Sequence, residues 1–182
     1  MNLPGFGVEA TPAAQLARLT ERVLQYCEKA VDGLSVEQLC DTRGRLTNSI
    51  GWDVWHVVRT VDNIVHFVFE REQPVWLVGA YPEKWQLPKV DQGTGMNSED
   101  AYALRFPEPG EFNRYTAAVA EAVVPRIAAM SDDYLGTFMR IRPWGDVSRM
   151  EAIGHGLVGH GNGHLGRASY ARTLFGKDGL AY

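Results

Sequence analysis

Six glycines fall within thirteen consecutive positions near the C-terminal end: Gly154, Gly156, Gly159, Gly161, Gly163 and Gly166. Helix signals bracket them. Ser148-Arg-Met-Glu151 is a capping box that opens a helix, and Gly176 is a stop signal just after Phe175. A helix across this stretch forgoes about 1 kcal/mol per glycine against alanine, roughly 6 kcal/mol in all. It is therefore predicted to form only where very close packing, or a ligand that ties it down, offsets that loss. The same residues spell GxGxxG twice, at 154–159 and 161–166. A dinucleotide fingerprint must follow a buried strand and precede a second βα unit. Here helix-start residues come before it and too little chain follows, so that reading is set aside.

The rest of the chain also reads as helical. Thr11-Pro12 is a hydroxyl cap with proline at the first helical position. Leu16, Leu19, Val23, Leu24 and Cys27 recur at three- and four-residue spacing, predicting a helix from about 12 to 31. Ser35-Val-Glu-Gln38 is a capping box for a short turn ending near Cys40. Asn48-Ser49 caps a second long helix that runs to roughly Glu72, where Pro74 stops it. A third runs from Pro109 to Met130 on a stripe of Phe112, Tyr115, Val119, Val123 and Ile127, with Pro125 expected to kink or break it. Between Pro74 and Pro109 lies an irregular connection containing Trp76, Trp85, Gly93-Thr-Gly95 and a short helix from Ser98. A connection this long is either a lid over a pocket or the crossover that some helix bundles need. A short extended run, Thr137 to Ile141, and a Trp144-Gly-Asp turn lead into the last helix. Four long helices without strand alternation predict an all-α fold, a four-helix bundle. They form one domain over residues 1–182, with its core at about 12–176.

Composition narrows the function. A length of 182 residues, 45% hydrophobic, is enough for a real core, and a net charge of −4 argues against a nucleic-acid-binding surface. The only two cysteines, Cys27 and Cys40, make no disulfide framework and read as buried small hydrophobes, with a reducing compartment the expectation. MNLPGFGVEA has neither a basic region nor an apolar run, so no signal peptide is visible. No apolar stretch is long enough to span a bilayer. The expectation is a cytoplasmic protein without membrane or nucleic-acid partners.

The chemistry concentrates in the five histidines. His160 and His164 are four residues apart, which places both on one helix face and lets them share a metal ion. Zinc peptidases use this spacing with a Glu directly after the first His, but Gly161 stands there. His155 lies about 140° around an α-helix from His160 and points elsewhere. His56 follows Gly51-Trp-Asp-Val-Trp55 in the most apolar part of the second helix. It is either a hydrogen-bonded core histidine or a third ligand facing the pair. His66, nearer the helix end, is expected to be solvated. Asp53, Asp62 and Glu70 are carboxylates available as a base, though a solvated face is the expected fate of each. Trp52 and Trp55 are expected to shield the site from the core side.

The string Asn48-Ser-Ile-Gly-Trp-Asp-Val-Trp-His56-Val-Val-Arg59-Thr-Val-Asp62 resembles the DinB superfamily. So do the later Val75-Trp76, Trp85-Gln-Leu-Pro88 and His160-xxx-His164-Leu-Gly166-xxx-Tyr170. The resemblance covers about residues 12 to 176. It implies a bundle with up-down-down-up connectivity and a divalent metal held by His56, His160 and His164. Zinc is the leading candidate, with nickel, manganese or iron as alternatives. Relatives include mycothiol-dependent maleylpyruvate isomerase and bacillithiol or mycothiol S-transferases, and homodimers are frequent. Many relatives carry His-Arg-Gly-Gln where this chain has His164-Leu-Gly-Arg167, so Arg167 stands one turn beyond His164 on nearly the same face.

Three neutral imidazoles leave a coordination position open, as in catalytic zinc sites. The resulting expectation is a metal-dependent enzyme that activates a low-molecular-weight thiol for transfer to an electrophile or for isomerisation. The alternatives are a metal-dependent hydrolase and a non-catalytic stress or binding protein in which the ion is structural. Asp53 and Arg167 are the candidate catalytic side chains beyond the ligands. Trp52, Arg59 and Tyr170 are the candidate substrate contacts.

Overall fold

The computed structural model describes residues 11–181; the reading of the first ten residues lies outside them. Helix α1 (Pro12–Val31) starts where Thr11 Oγ1 accepts the Ala14 amide. Its buried face carries Ala13, Ala17, Thr20, Val23, Leu24 and Cys27. Leu19, expected inside, is turned out, since it falls off the face that carries Ala13, Thr20, Leu24 and Cys27. Helix α2 (Val36–Leu39) is a single turn with both halves of its capping box formed.

Helix α3 (Ile50–Asp62) is buried at every residue and continues as a π-helical segment, Asn63–Phe69. A helix wrapped on all sides is normally apolar throughout. This one carries Asp53, His56, Arg59, Thr60 and Asp62, so each needs a partner inside the protein.

The connection after Pro74 is less irregular than expected, because helical turns α4 (Val75–Val78), α5 (Tyr81–Trp85) and α6 (Ser98–Ala103) organise it. Trp76 and Trp85 root it in the core. Its first turn is pinned by Asp62, whose carboxylate accepts the amides of Val75 and Trp76 at 2.9 Å each.

Helix α7 (Pro109–Ala128) buries the expected stripe from Phe112 to Ile127. Pro125 does not break it; the ring is exposed and the helix runs on to Ala128. A single turn, α8 (Asp132–Gly136), follows. Strands β1 (Phe138–Ile141) and β2 (Gly145–Ser148) then pair antiparallel, with Ile141 opposite Gly145. The fold is thus mostly helical rather than all-α. The extended run and turn seen in the sequence close into a hairpin, with Arg142, Pro143 and Trp144 as its loop.

Helix α9 (Arg149–Glu151) opens on the Ser148 capping box, passes through a π-helical segment (Ala152–Gly159) and becomes α10 (His160–Thr173). The long elements pack in pairs: α1 with α7, α7 with α3, α3 with α10, and α10 with α1. The glycine-rich stretch packs tightly at two points. A Cβ at Gly156 would come within 2.3 Å of the Trp144 ring, and one at Gly161 within 2.9 Å of Val23. Gly163 and Gly166 have nothing within 4 Å of that position, so close packing accounts for only part of the glycine excess.

Candidate metal centre

Three imidazoles meet between α3 and α10. His56 Nε2 lies 3.2 Å from His160 Nε2, and His164 Nε2 lies 3.0 Å from the same atom. One ligand atom from each residue falls within 4.8 Å of the others. Zinc–nitrogen bonds of about 2.0–2.1 Å in a tetrahedral arrangement set nitrogens roughly 3.3 Å apart, so these donors fit one small divalent ion. His160 and His164 come together through their helical spacing. His56 joins them because α3 lies directly against α10.

The far side of each ring is held as well. His56 Nδ1 lies 2.5 Å from the Gln92 carbonyl, and His164 Nδ1 lies 2.7 Å from Asp53 Oδ1. An Nδ1–H donating to these acceptors leaves the Nε2 lone pair facing the other rings. The His160 ring hydrogen-bonds the backbone of Gly156. Burial is the main reason that His56 and His160 titrate near 4 rather than 6.5, and the neighbouring His164 adds to it. Both are therefore neutral at pH 7, the form that binds a metal.

The connection contributes directly to the site. Gly93 follows the Gln92 carbonyl with φ +95°, and a Cβ there would lie 2.9 Å from Trp52 and 3.1 Å from His56 Nδ1. Only glycine combines that backbone with so close an approach. The Trp52 indole stacks on His56 at 4.9 Å with the planes 20° apart. Above the rings is a cavity of about 290 Å³, lined by all three histidines, Trp52, the 92–95 loop and the hairpin loop from Arg142 to Trp144.

Two of the three carboxylates go elsewhere than expected; Glu70 alone lies at the surface. Asp53 is 3% exposed rather than solvated, and it accepts both His164 and Arg167, whose Nη2 lies 2.5 Å from Oδ1. Asp62 is fully buried and accepts from Tyr115 besides the two connection amides, and Glu70 accepts from Tyr134 at the surface. His66 is also buried rather than solvated; its Nδ1 lies 2.9 Å from Asp62, well apart from the histidine trio. His155 is exposed.

Of the candidate substrate contacts, only Trp52 lines the histidine cavity. Arg59 is 2% exposed, with its guanidinium 4.8 Å over the Trp76 ring and one N–H donated to the Val90 carbonyl. Tyr170 and Arg167 line a separate cavity of about 530 Å³ behind Asp53. Cys27 is buried, which pushes its thiol well up, while Cys40 is only partly buried and accepts the Phe106 amide. Arg142, Trp144 and Gln92 carried no signal in the sequence beyond their places in a turn and a loop.

No curated protein matches this chain. A crystal structure of a conserved protein from Enterococcus faecalis is similar in fold, with a TM-score of 0.76 at 20% identity. The likeness covers 90% of this chain and 96% of that one. No helix among the described residues is long and apolar enough to cross a membrane. The sequence pattern of the DinB superfamily matches residues 19–168, and the chain belongs to that superfamily.

Proposed function

We propose that this protein is a metal-dependent enzyme of the thiol S-transferase or isomerase type, with His56, His160 and His164 holding a divalent ion, zinc first among the candidates. The observation that carries this reading is the cavity. All three donor histidines line an open space of about 290 Å³, where a purely structural ion would be closed in by side chains. When bound, such an ion acts as a Lewis acid that favours thiolate over thiol at neutral pH.

The surrounding residues fit that role. Gln92 and Asp53 hold two ligand rings in one tautomer, Trp52 packs against His56, and the 92–95 loop keeps bulk water from one side. The hydrolase alternative asks for a general base, yet no carboxylate lines the cavity among the described residues. A thiol is more acidic than water, so on such an ion it gives its proton to solvent without such a base. Neither cysteine lines the cavity, so the thiol is an exogenous small molecule. A four-helix bundle of up-down-down-up connectivity, homodimeric assembly and a cytoplasmic location belong to the same reading.

Metal analysis of protein purified without an affinity tag tests it first. About one equivalent of metal, lost in His160→Ala, is expected. Conjugation of monochlorobimane should then require both a small thiol and the metal. A protein that takes up no metal, or one whose conjugation rate ignores the metal, overturns the reading.

A further inference from the structure

The histidine cavity is electrostatically lopsided. Its lining includes one formal charge, Arg142, and no carboxylate among the described residues. Five other arginines pair with a carboxylate among the described residues: Arg43 with Asp41, Arg45 with Glu99, Arg114 with Glu111, Arg126 with Glu72 and Arg167 with Asp53. Arg140, two residues earlier, sits directly opposite Asp146 across the hairpin. Arg142 is exposed, and no acidic group pairs with it among the described residues. A divalent ion on three neutral imidazoles adds two further positive charges. Only Asp53 stands behind the ligands, and Arg167 already neutralises it.

The hairpin loop is also held in place. Trp144 fills the notch that Gly156 leaves in the last helix, and its ring meets His160 edge-on at 6.3 Å. The loop carrying Arg142 is therefore tied to the same helix that supplies two of the histidines. A guanidinium so placed is a fork suited to two carboxylate oxygens. The small cavity limits the guest to a compact molecule.

We propose that Arg142 is the substrate-recognition residue of this cavity, and that the molecule it receives is a small carboxylate. This deepens the proposed function and takes from it only that the cavity is the reaction site. The carboxylate docks on Arg142 at the rim while the reacting part of the molecule faces the histidines.

Four probes keep the two claims apart: 3-mercaptopropionate, its methyl ester, propionate and methyl propionate. They are titrated by calorimetry and tryptophan fluorescence into the zinc-loaded and the metal-free protein. The acid–ester contrast reads Arg142, and the thiol–propionate contrast reads the thiol chemistry. Each acid should bind about tenfold more tightly than its ester. Arg142→Gln should remove that preference and leave ester affinity unchanged, and Arg142→Lys should keep part of it. Because Arg142 is exposed, neither variant disturbs the core. Equal binding of acid and ester, a preference that survives Arg142→Gln, or no binding of either acid at millimolar concentration overturns the assignment. If both acids bind alike whether or not they carry sulfur, the thiol reading fails while the acid–ester contrast still decides Arg142.

Discussion

Helix α3 carries two buried clusters built from the same residue types, and they have opposite ends. Near its start, Asp53 joins His164 and Arg167, and the His164 Nε2 still faces His56 and His160 beside an open cavity. Near its end, Asp62 joins His66, Tyr115 and the amides of Val75 and Trp76, and lines neither the histidine cavity nor the one behind Asp53. The first cluster leaves ligand atoms aimed into space. The second uses its carboxylate to clamp the connection onto α3 and α7. A buried Asp–His pair is therefore chemistry or architecture according to what its outward atoms meet.

The largest expected effect separates the clusters by stability. Asp62→Ala would strand the amides of Val75 and buried Trp76 and the Tyr115 hydroxyl, costing about 3 kcal/mol or more in urea denaturation. Burial of Tyr115, aided by the nearby Asp62, already pushes its phenol well above the ordinary range, so it cannot ionise to compensate. A loss below about 1 kcal/mol would mean that the clamp is not structural.

The metal-side cluster should respond in affinity instead. Asp53→Asn keeps the shape but weakens the acceptor for His164, lowering zinc affinity about 10- to 100-fold in a chelator competition assay. Unchanged affinity would show that Asp53 serves only as the partner of Arg167.

Acid should also act on the first cluster. His56 and His160 titrate near 4 in the folded protein and near 6.5 unfolded, so below 6.5 the unfolded chain binds the extra protons. Stability of the metal-free protein should be fully present above about pH 6.5 and fall as pH drops towards 4. Buried His56 accounts for up to about 3 kcal/mol of the loss and the less buried His160 for somewhat less, read from denaturation midpoints. Replacing His56 by Gln should remove roughly half of that dependence, leaving the part due to His160.

The smallest effects lie within the glycine-rich helix. Gly166→Ala should stabilise by about 0.5–1 kcal/mol, since its Cβ would meet nothing, whereas Gly161→Ala should destabilise by pressing on Val23. Thermal melts of the two variants moving in the same direction would break that contrast.

Local sequence carried much of this. Thr11, Ser35, Ser49 and Ser148 act as caps where their spacing says they should, because capping depends on residues three positions away. The pairing of His160 with His164 is legible for the same reason. The π-helical turns are not legible: an α-helical pitch is the natural expectation over 152–159, and nothing within it announces the wider winding.

What the sequence by itself determined, then, is the set of long helices, the family resemblance and the pairing of His160 with His164, all of which rest on short spacings and side-chain chemistry. Tertiary structure alone decided that Asp53 and Asp62 are buried, that Arg59 lies under the connection, and that Arg142 reaches the histidine cavity. Those fates depend on partners distant in sequence, as His164 is from Asp53 and Gly156 from the hairpin that Trp144 anchors. A polar residue's role follows from the atoms around it, and only the folded chain sets those.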